Sequence, residues 1–431
     1  MEFVLMLICL GVLLVVGIPI SIALLFSGMF GYTLVIGFEP GINALVQVAY
    51  SDINSFVIIA IPLYIFMGQI MLKGESGRDL FDFAQRVAGR LPGGLAIAAI
   101  IASAIFAAIS GSSTATAATV GSISIPEMLK RGYDRRMAAG AVAVAGTLGI
   151  LIPPSISFIL YSLVTNTSVG KLFLAGVLPG IMLALMFVVY TVLKEARAER
   201  RLAKTGAKAP AVEKPPYTWG MVGSLLMIPV VLGGIYFGWF TPTEAAAVGV
   251  VYALVLTIFI KRTLTLKLLW DAMHDSVVTS AMILMLIAGA SMFGNTLSLL
   301  RVPQDVATWL DTLNLNAWQF MIAINILYLV LGMFMDASAA ILVTVPILLP
   351  ALTALNIDLI WFGVILVMNM EIGAVTPPVG MNLFVVKALH PDYTLRDVLI
   401  GSIPYACIGL LGLALVVVFP SIAVWLPSLG G

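Results

Sequence analysis

Charged and metal-binding side chains are scarce in this sequence. Asp, Glu, Lys and Arg make up only 10% of its 431 residues, while hydrophobic residues make up 61%. A chain with so little charge cannot cover a soluble globular surface, so most of it must lie in lipid. The two histidines and two cysteines show no zinc-binding spacing, and no phosphate-binding glycine loop is present, so we expect no zinc site and no organic cofactor. Cys9 and Cys407 lie in apolar sequence and are predicted to be buried packing residues.

Long apolar runs occupy most of the chain. Residues 172–193, 221–240 and 277–300 are each near the twenty residues that an α-helix needs to cross a bilayer. They lack the alternation that is typical of membrane strands. The first run, 3–36, is too long for one span and lacks the basic start of a signal peptide, so we interpret it as two spans meeting near Gly17. The sequence therefore predicts an all-α polytopic membrane protein.

A set of polar and helix-breaking residues occurs twice at a constant offset of 224 positions. The matched pairs are Ser112 with Asp336, Pro126 with Pro350, Gly149 with Gly373, and Pro153 with Pro377. Each set joins a small-residue turn to a later Pro-Pro pair within apolar sequence. Gly, Ser and Pro also serve ordinary helix packing in membranes. Their duplication at a fixed spacing instead indicates the binding site of a secondary transporter.

The basic residues predict the orientation of the chain. We place the N-terminus outside and treat the polar turns as non-crossing hairpins at about 95–129 and 317–355. All but two of the 22 Lys and Arg residues then lie on the cytoplasmic side, the exceptions being Lys171 and Arg301. An odd number of crossings separates the hairpins, so the two copies are inverted. Two full crossings per hairpin would leave this parity unchanged, but polar tips at mid-membrane depth favour re-entry.

These patterns predict inverted repeats, each made of a re-entrant hairpin followed by a broken transmembrane helix. The predicted units are 1–94 (scaffold spans and a cytoplasmic arm), 95–168 (first transport repeat), 169–316 (further scaffold spans), 317–390 (second transport repeat) and 391–431 (C-terminal span). The basic stretch 194–215 is predicted to be a flexible cytoplasmic linker, with contact to membrane lipid headgroups as the alternative. The amphipathic stretches 76–91 and 263–274 are predicted to lie flat at the interface.

Interrupted helices expose backbone groups that can bind ions. Free carbonyls at a helix C-terminus suit a small hard cation, and free N–H groups at an N-terminus suit an anion. We expect each Pro-Pro pair to begin a half-helix, with Thr376 as an N-cap. Asp336 falls at the second hairpin tip, as an N-cap or as a cation-binding or gating residue. Glu371 lies within the second broken span, as a functional group or as a partner of another helix.

With these residues in place, the chain resembles the large membrane subunit of TRAP transporters, the tripartite ATP-independent periplasmic uptake systems. The resemblance covers nearly the whole length of the chain. The motifs that carry the resemblance are AIPLYIFMGQIM at 60–71, GRLPGGLA at 89–96, ISGSSTATAATVGSISIPEMLKRGYD at 109–134, GTLGILIPPSISFILY at 146–161, TPTEAAAVG at 241–249 and GAVTPPVGMNLFVV at 373–386.

The resemblance implies an elevator-type mechanism, in which a transport domain slides against a scaffold, and coupling to sodium ions. It also implies a bacterial inner-membrane location, an organic acid anion as substrate, a small four-helix membrane subunit and a periplasmic substrate-binding protein, with no nucleic acid partner. The implied sodium ligands are Ser110, Ser112, Ser113, Gly146 and Gly149 at one site, and Asp336, Ala337, Ser338, Gly373 and Thr376 at the other. The expected substrate-binding residues are Thr114, Pro154, Ser155, Glu371, Pro378 and Asn382.

Two other functions compete with this interpretation. A stand-alone symporter of similar architecture would need no partner proteins, and a neighbouring gene for a binding protein would argue against it. An intramembrane enzyme would require a nucleophile–base pair or metal ligands at membrane depth, yet neither His274 nor His390 lies within the duplicated polar motifs. The sequence therefore favours transport over catalysis.

Overall fold

The fold is known from a computed structural model that describes residues 1–203, 214–312 and 316–429. Every regular element in these ranges is helical, which confirms the all-α prediction. Within the same ranges, seven helices are long and apolar enough to cross a membrane. The predicted linker 194–215 is helical up to Ala203 as the end of a long helix, and residues 204–213 lie outside the described part of the chain.

The first half of the chain contains ten helices, two of which form the first hairpin and two the first broken helix. They are α1 (Glu2–Val15), α2 (Ile20–Ile36), α3 (Phe38–Ile53), α4 (Ala60–Lys73), α5 (Ser76–Ala88), α6 (Gly94–Ser110), α7 (Ser113–Lys130), α8 (Arg135–Thr147), α9 (Ile156–Thr165) and α10 (Val169–Ala203). A 3₁₀ turn, Leu148–Ile150, follows α8. The predicted break near Gly17 is confirmed by the end of α1 and the start of α2.

The second half repeats much of this order. Its helices are α11 (Trp219–Ile228), α12 (Gly234–Tyr236), α13 (Pro242–Val255), α14 (Leu266–Leu299), α15 (Val302–Thr312), α16 (Ala317–Phe334), α17 (Ala337–Ala354), α18 (Leu359–Gly373), α19 (Met381–Ala388), α20 (Leu395–Val418) and α21 (Ser421–Leu429). One π-helical stretch, Pro229–Gly233, joins α11 to α12, and another, Leu256–Ile260, extends α13. An offset of 224 residues carries the bounds of α7 onto those of α17.

Helix starts in the two halves are capped in the same way at matched positions. Ser112 and Asp336 cap α7 and α17, accepting hydrogen bonds from the amides of Ala115 and Ser338. Asp134 and Asp358 cap α8 and α18 in the same manner. Each cap satisfies an amide at a helix start that would otherwise lack a partner. The repeat seen in the sequence is therefore a repeat of backbone structure.

The second arm of each hairpin packs against a half-helix of the other repeat. The second hairpin arm α7 packs on α19 from the other repeat, and α17 packs on α9. Two fully buried rings from opposite repeats, Tyr161 on α9 and Phe362 on α18, also contact each other, with centroids 6.5 Å apart. Each hairpin thus closes over a half-helix from the opposite repeat.

Some predictions differ from the structure. Cys9 is only partly buried and Cys407 is exposed, because the apolar helices that carry them also have outward faces. Residues 263–274 do not form a separate interfacial arm, because α14 runs unbroken from Leu266 to Leu299. Helices α3, α15 and α21 were not predicted, since their short sequences mix polar and apolar residues or follow a longer apolar run. The proline pairs do not begin half-helices: α9 and α19 start beyond Pro154 and Pro378, so both pairs lie in the connections.

Close packing of α8 against α20 yields a test of the fold. A Cβ atom added at Gly401 would overlap the carbonyl oxygen of Arg136. We expect Gly401→Ala to lower the free energy of unfolding by about 1–3 kcal/mol, because the helices would have to separate. Thermal unfolding of the detergent-solubilised protein measures this. The matched control is Gly294→Ala, where the nearest atom, Cβ of Pro346, is 4.0 Å away. Coincident melting curves for the two variants would contradict the prediction.

Candidate functional site

The first hairpin tip is a tight turn closed against the first broken helix. Helix α6 ends at Ser110, and Gly111 adopts a left-handed conformation with φ of 61° that favours glycine. A Cβ atom at Gly111 would lie 2.8 Å from the carbonyl oxygen of Pro154. The tip and the connection between α8 and α9 are therefore in direct backbone contact.

Hydroxyl groups and one carbonyl crowd this tip. The Ser110 and Thr116 hydroxyl oxygens are 2.8 Å apart, and Thr116 donates to the carbonyl oxygen of Ser112 over 2.7 Å. The Ser112 and Thr114 hydroxyl oxygens are 3.3 Å apart. The Ser112 carbonyl accepts from Thr116, and its oxygen has a second lone pair that could ligate a cation. Sequence reasoning missed Thr116, although it lies one helical turn after Ser112.

The first broken helix supplies small residues where it meets this tip. A side chain at Gly149 would overlap the Ser112 carbonyl, and one at Gly146 would lie 2.8 Å from the Cα of Ala117. Ser155 caps the start of α9 by position, and its hydroxyl donates to the carbonyl oxygen of Ile150. The structure thus brings Ser110, Ser112 and Gly149 into one oxygen-rich cluster, with Gly146, Ser113 and Ser155 beside it.

The second hairpin tip is organised differently. A side chain at Gly373 would meet the backbone of Gly332 on α16, rather than the tip itself. The amide of Gly380 donates to the carbonyl oxygen of Met333 over 3.1 Å. This ties the connection between α18 and α19 to the first arm of the hairpin. Asp336 and Ser338 are joined by the cap at the start of α17, with Ala337 buried between them.

Thr376 is not the N-cap that we predicted. Its hydroxyl donates to the carbonyl oxygen of Ile372 over 2.7 Å, so it satisfies the C-terminal end of α18. The N-cap position of α19 belongs to Gly380. The prediction was wrong because α19 starts only at Met381. The residue directly before the helix is therefore Gly380, and Thr376 lies too early in the chain to cap it.

The two sites differ in their exposure within the chain. Pro153 and Pro154 are buried, whereas Pro377 and Pro378 are exposed. Asp336 is also exposed, whereas Ser113 is buried. The first tip is therefore largely buried, with α4 packed on it at Gly68. The second presents a carboxylate and the proline connection at the protein surface.

Buried polar contacts join the broken helices to their surroundings. The Thr147 hydroxyl at the end of α8 lies 2.8 Å from Oε1 of Glu371 on α18. Asn382 on α19 donates to the carbonyl oxygen of Ala143 on α8 over 3.3 Å. Glu371 and Asn382 were predicted to contact substrate, and both are buried between helices here. Thr147 was missed, because only the fold brings it to Glu371.

The chemistry of this region suits a hard cation and an anion rather than a transition metal. Among the described residues, no three His, Cys, Asp or Glu side chains gather where they could hold a metal ion. The available ligands are backbone carbonyls, hydroxyls and the Asp336 carboxylate, which are oxygen ligands of the kind that hard cations prefer. The starts of α7, α9, α17 and α19 provide free N–H groups that suit an anion.

Comparison with known proteins identifies the relatives of this chain. Residues 7–422 match the model of the family described as "Tripartite ATP-independent periplasmic transporter, DctM component". The C4-dicarboxylate TRAP transporter large permease protein DctM of Pseudomonas aeruginosa is 41% identical over 406 residues, covering 93% of both chains. The sialic acid TRAP transporter large permease protein SiaM of Vibrio cholerae is 35% identical, covering 97% of this chain and 96% of that one.

A solved structure shares the fold. The YdaH transporter of Alcanivorax borkumensis superimposes with a TM-score of 0.61 over 90% of this chain and 89% of that one, at 15% sequence identity. At this identity the likeness concerns the fold alone.

The contact between Gly149 and Ser112 can be tested directly. We expect Gly149→Ala to open the first tip, because the added methyl group would overlap the Ser112 carbonyl. A cysteine at position 113, in a chain whose Cys9 and Cys407 have been replaced, should then react faster with a water-soluble thiol reagent. Gly170→Ala is the control, since its nearest neighbours are 3.8 Å away. Equal labelling rates in both variants would show that this contact does not close the tip.

Proposed function

The chain belongs to the DctM component family of tripartite ATP-independent periplasmic transporters, and on that basis we propose that it drives sodium-coupled uptake of an organic acid anion. It is an inner-membrane transporter permease and not an enzyme. The observation that carries the sodium proposal is the duplicated pair of helix interruptions, one of which gathers the Ser110 hydroxyl and the Ser112 carbonyl.

The two tips supply two sodium sites in this proposal. The first uses Ser110, Ser112, Ser113, Gly146 and Gly149, and the second uses Asp336, Ala337, Ser338, Gly373 and Thr376. Backbone carbonyls and hydroxyls provide neutral oxygen ligands, and Asp336 adds one negative charge near the second site. The exposure of Asp336 supports a site that is open to solution in this conformation.

The proposed substrate is a carboxylate. The P. aeruginosa relative is named for C4-dicarboxylates and the V. cholerae relative for sialic acid, and both substrates carry carboxyl groups. N–H groups at the starts of the half-helices would bind such an anion. Thr114, Ser155 and the connections at Pro154 and Pro378 lie at these ends. Asn382, in the first turn of α19, holds that half-helix against α8.

Alternating access would follow from exchanging the conformations of the two repeats. Support comes from the packing of α7 on α19 and of α17 on α9, because each hairpin is tied to the opposite repeat. The repeats would therefore move as one body against the scaffold helices, as in an elevator. The difference between the largely buried first tip and the exposed second tip fits one end state of such a cycle.

The family description as tripartite supports two partners for this chain. We propose a small four-helix membrane subunit packed against the scaffold and a periplasmic binding protein that delivers the anion. Membrane lipid would cover the remaining apolar surface. A stand-alone sodium/anion symporter is the alternative, and the requirement for a binding protein distinguishes the two.

Sodium coupling leads to a specific expectation for Asp336. Uptake of a radiolabelled carboxylate into proteoliposomes should require an inward sodium gradient. Asp336→Asn should raise the half-saturating sodium concentration roughly tenfold, because one charged ligand is lost. The control is Asp305→Asn, which removes an exposed carboxylate on α15, outside both proposed sites. Full uptake with potassium in place of sodium, driven by a proton gradient, would rule out the sodium proposal.

The binding-protein requirement is tested by reconstitution. We compare this chain alone, the chain with its membrane partner, and both with the periplasmic binding protein. Saturable uptake should appear only in the third preparation, because the binding protein captures dilute substrate. If the chain alone gave saturable sodium-dependent uptake, the stand-alone symporter would be the correct function.

A further inference from the structure

One buried hydrogen bond joins matched positions of the two repeats. Thr147 and Glu371 are 224 residues apart, the same offset that relates α7 to α17. The Thr147 hydroxyl lies 2.8 Å from Oε1 of Glu371 and 2.7 Å from the carbonyl oxygen of Val144. Because equivalent residues meet each other, this contact lies where the repeats face one another across their pseudo-symmetry axis.

The contact between Thr147 and Glu371 is buried, and burying a carboxyl group costs folding free energy. Thr147 is 1% exposed and Glu371 is 2% exposed. Within the described residues, Oε2 of Glu371 has no hydrogen-bond partner. Glu371 and Thr147 also line a small cavity together with apolar groups of α10 and α20, the latter including the Tyr405 ring. A half-satisfied buried carboxyl group costs folding free energy, so its position calls for an explanation.

We propose that the hydrogen bond between Thr147 and Glu371 is a latch that fixes the two broken helices relative to each other. Both residues are positioning residues in this assignment. We expect the latch to make the two ion sites form together, and this consequence rests on the proposed transport function. The latch itself is a claim about geometry and can be tested without transport.

The latch lies close to both sites along the chain. Thr147 is the last residue of α8, two residues before Gly149, which packs on the first tip. Glu371 is two residues before Gly373, which packs on the first arm of the second hairpin. A shift of one broken helix would therefore move the contacts of both hairpins. The latch adds to the packing of α7 on α19 and of α17 on α9, and it fixes the ends of α8 and α18 relative to each other.

Direct substrate binding explains the position of Glu371 less well. The side chain is buried and bonds Thr147 of α8, and the cavity that it helps to line contains none of the hairpin-tip residues 110–116 and 335–338. A carboxylate would also repel the proposed anionic substrate. A hydrogen bond between helices accounts for both the burial and the partner.

The first measurement is a distance between repeats. Spin labels are attached at cysteines replacing Lys130 and Thr353, two exposed residues near the ends of α7 and α17, in a chain without Cys9 and Cys407. Thr147→Val and Glu371→Leu should broaden the distance distribution, and Glu371→Gln should keep it narrow because an amide can still hydrogen-bond Thr147. Thr257→Val is the control, since it removes a buried hydroxyl that bonds only its own helix at Ala253.

The second measurement is the cooperativity of sodium-dependent uptake by the complete transporter, normalised to folded protein. The Hill coefficient should fall to about one in Thr147→Val and in Glu371→Leu, and the double variant should be no worse than either single. Glu371→Gln and Thr257→Val should retain the wild-type coefficient. If uptake by the wild type did not depend on sodium, the proposed function would be wrong. The distance measurement would still test the latch, because it does not depend on transport.

Two results would overturn the latch. One is a distance distribution that Thr147→Val and Glu371→Leu leave unchanged. The other is Glu371→Gln behaving like Glu371→Leu, which would mean that the carboxylate charge, rather than its hydrogen bond, is what position 371 provides.

Discussion

The structure depends on one constraint: backbone N–H and C=O groups inside a membrane must find partners within the protein. Regular helices satisfy this by themselves, so each interruption needs a specific remedy. Here the interruptions are closed by caps at Ser112 and Asp336, by the hydroxyl of Thr376 and by a backbone bond between Gly380 and Met333. The carbonyls and amides that remain near these ends are the groups that could bind ions. The same breaks that threaten stability therefore create the candidate site.

The two repeats place these helix breaks at matched positions of the chain. Both hairpin second arms begin with a capping residue, and each packs against the half-helix of the other repeat. The chain nevertheless departs from symmetry where the hairpins meet the broken helices. Gly149 contacts the first tip, whereas Gly373 contacts the first arm of the second hairpin. The first tip is thus largely buried and the second exposed, so the two repeats are not equivalent in this structure.

Buried polar side chains at the helix contacts add specificity that apolar packing cannot provide. Thr147 meets Glu371, Asn325 meets Asn369, and Asn382 meets the carbonyl oxygen of Ala143. Leu, Ile and Val pack almost equally well in several registers, whereas a buried donor or acceptor is satisfied in one. These contacts fix the placement of α8, α16, α18 and α19 relative to one another. They explain how a bundle rich in Ala and Gly can hold a defined arrangement around the site.

From the sequence we predicted the helical class, the family, and the two hairpins to within about a residue of α6–α7 and α16–α17, because apolar length and paired breaks are local patterns. It could not place the start of α9 or α19, since the proline pairs read as helix starts but lie in longer connections. It also missed α3, whose polar residues break the apolar run. Only the tertiary structure decided that Thr147 faces Glu371, that Gly373 packs on Gly332, and that the second tip is open. Those facts depend on which helices approach each other, and contacts between residues 224 positions apart leave no local trace in a single chain.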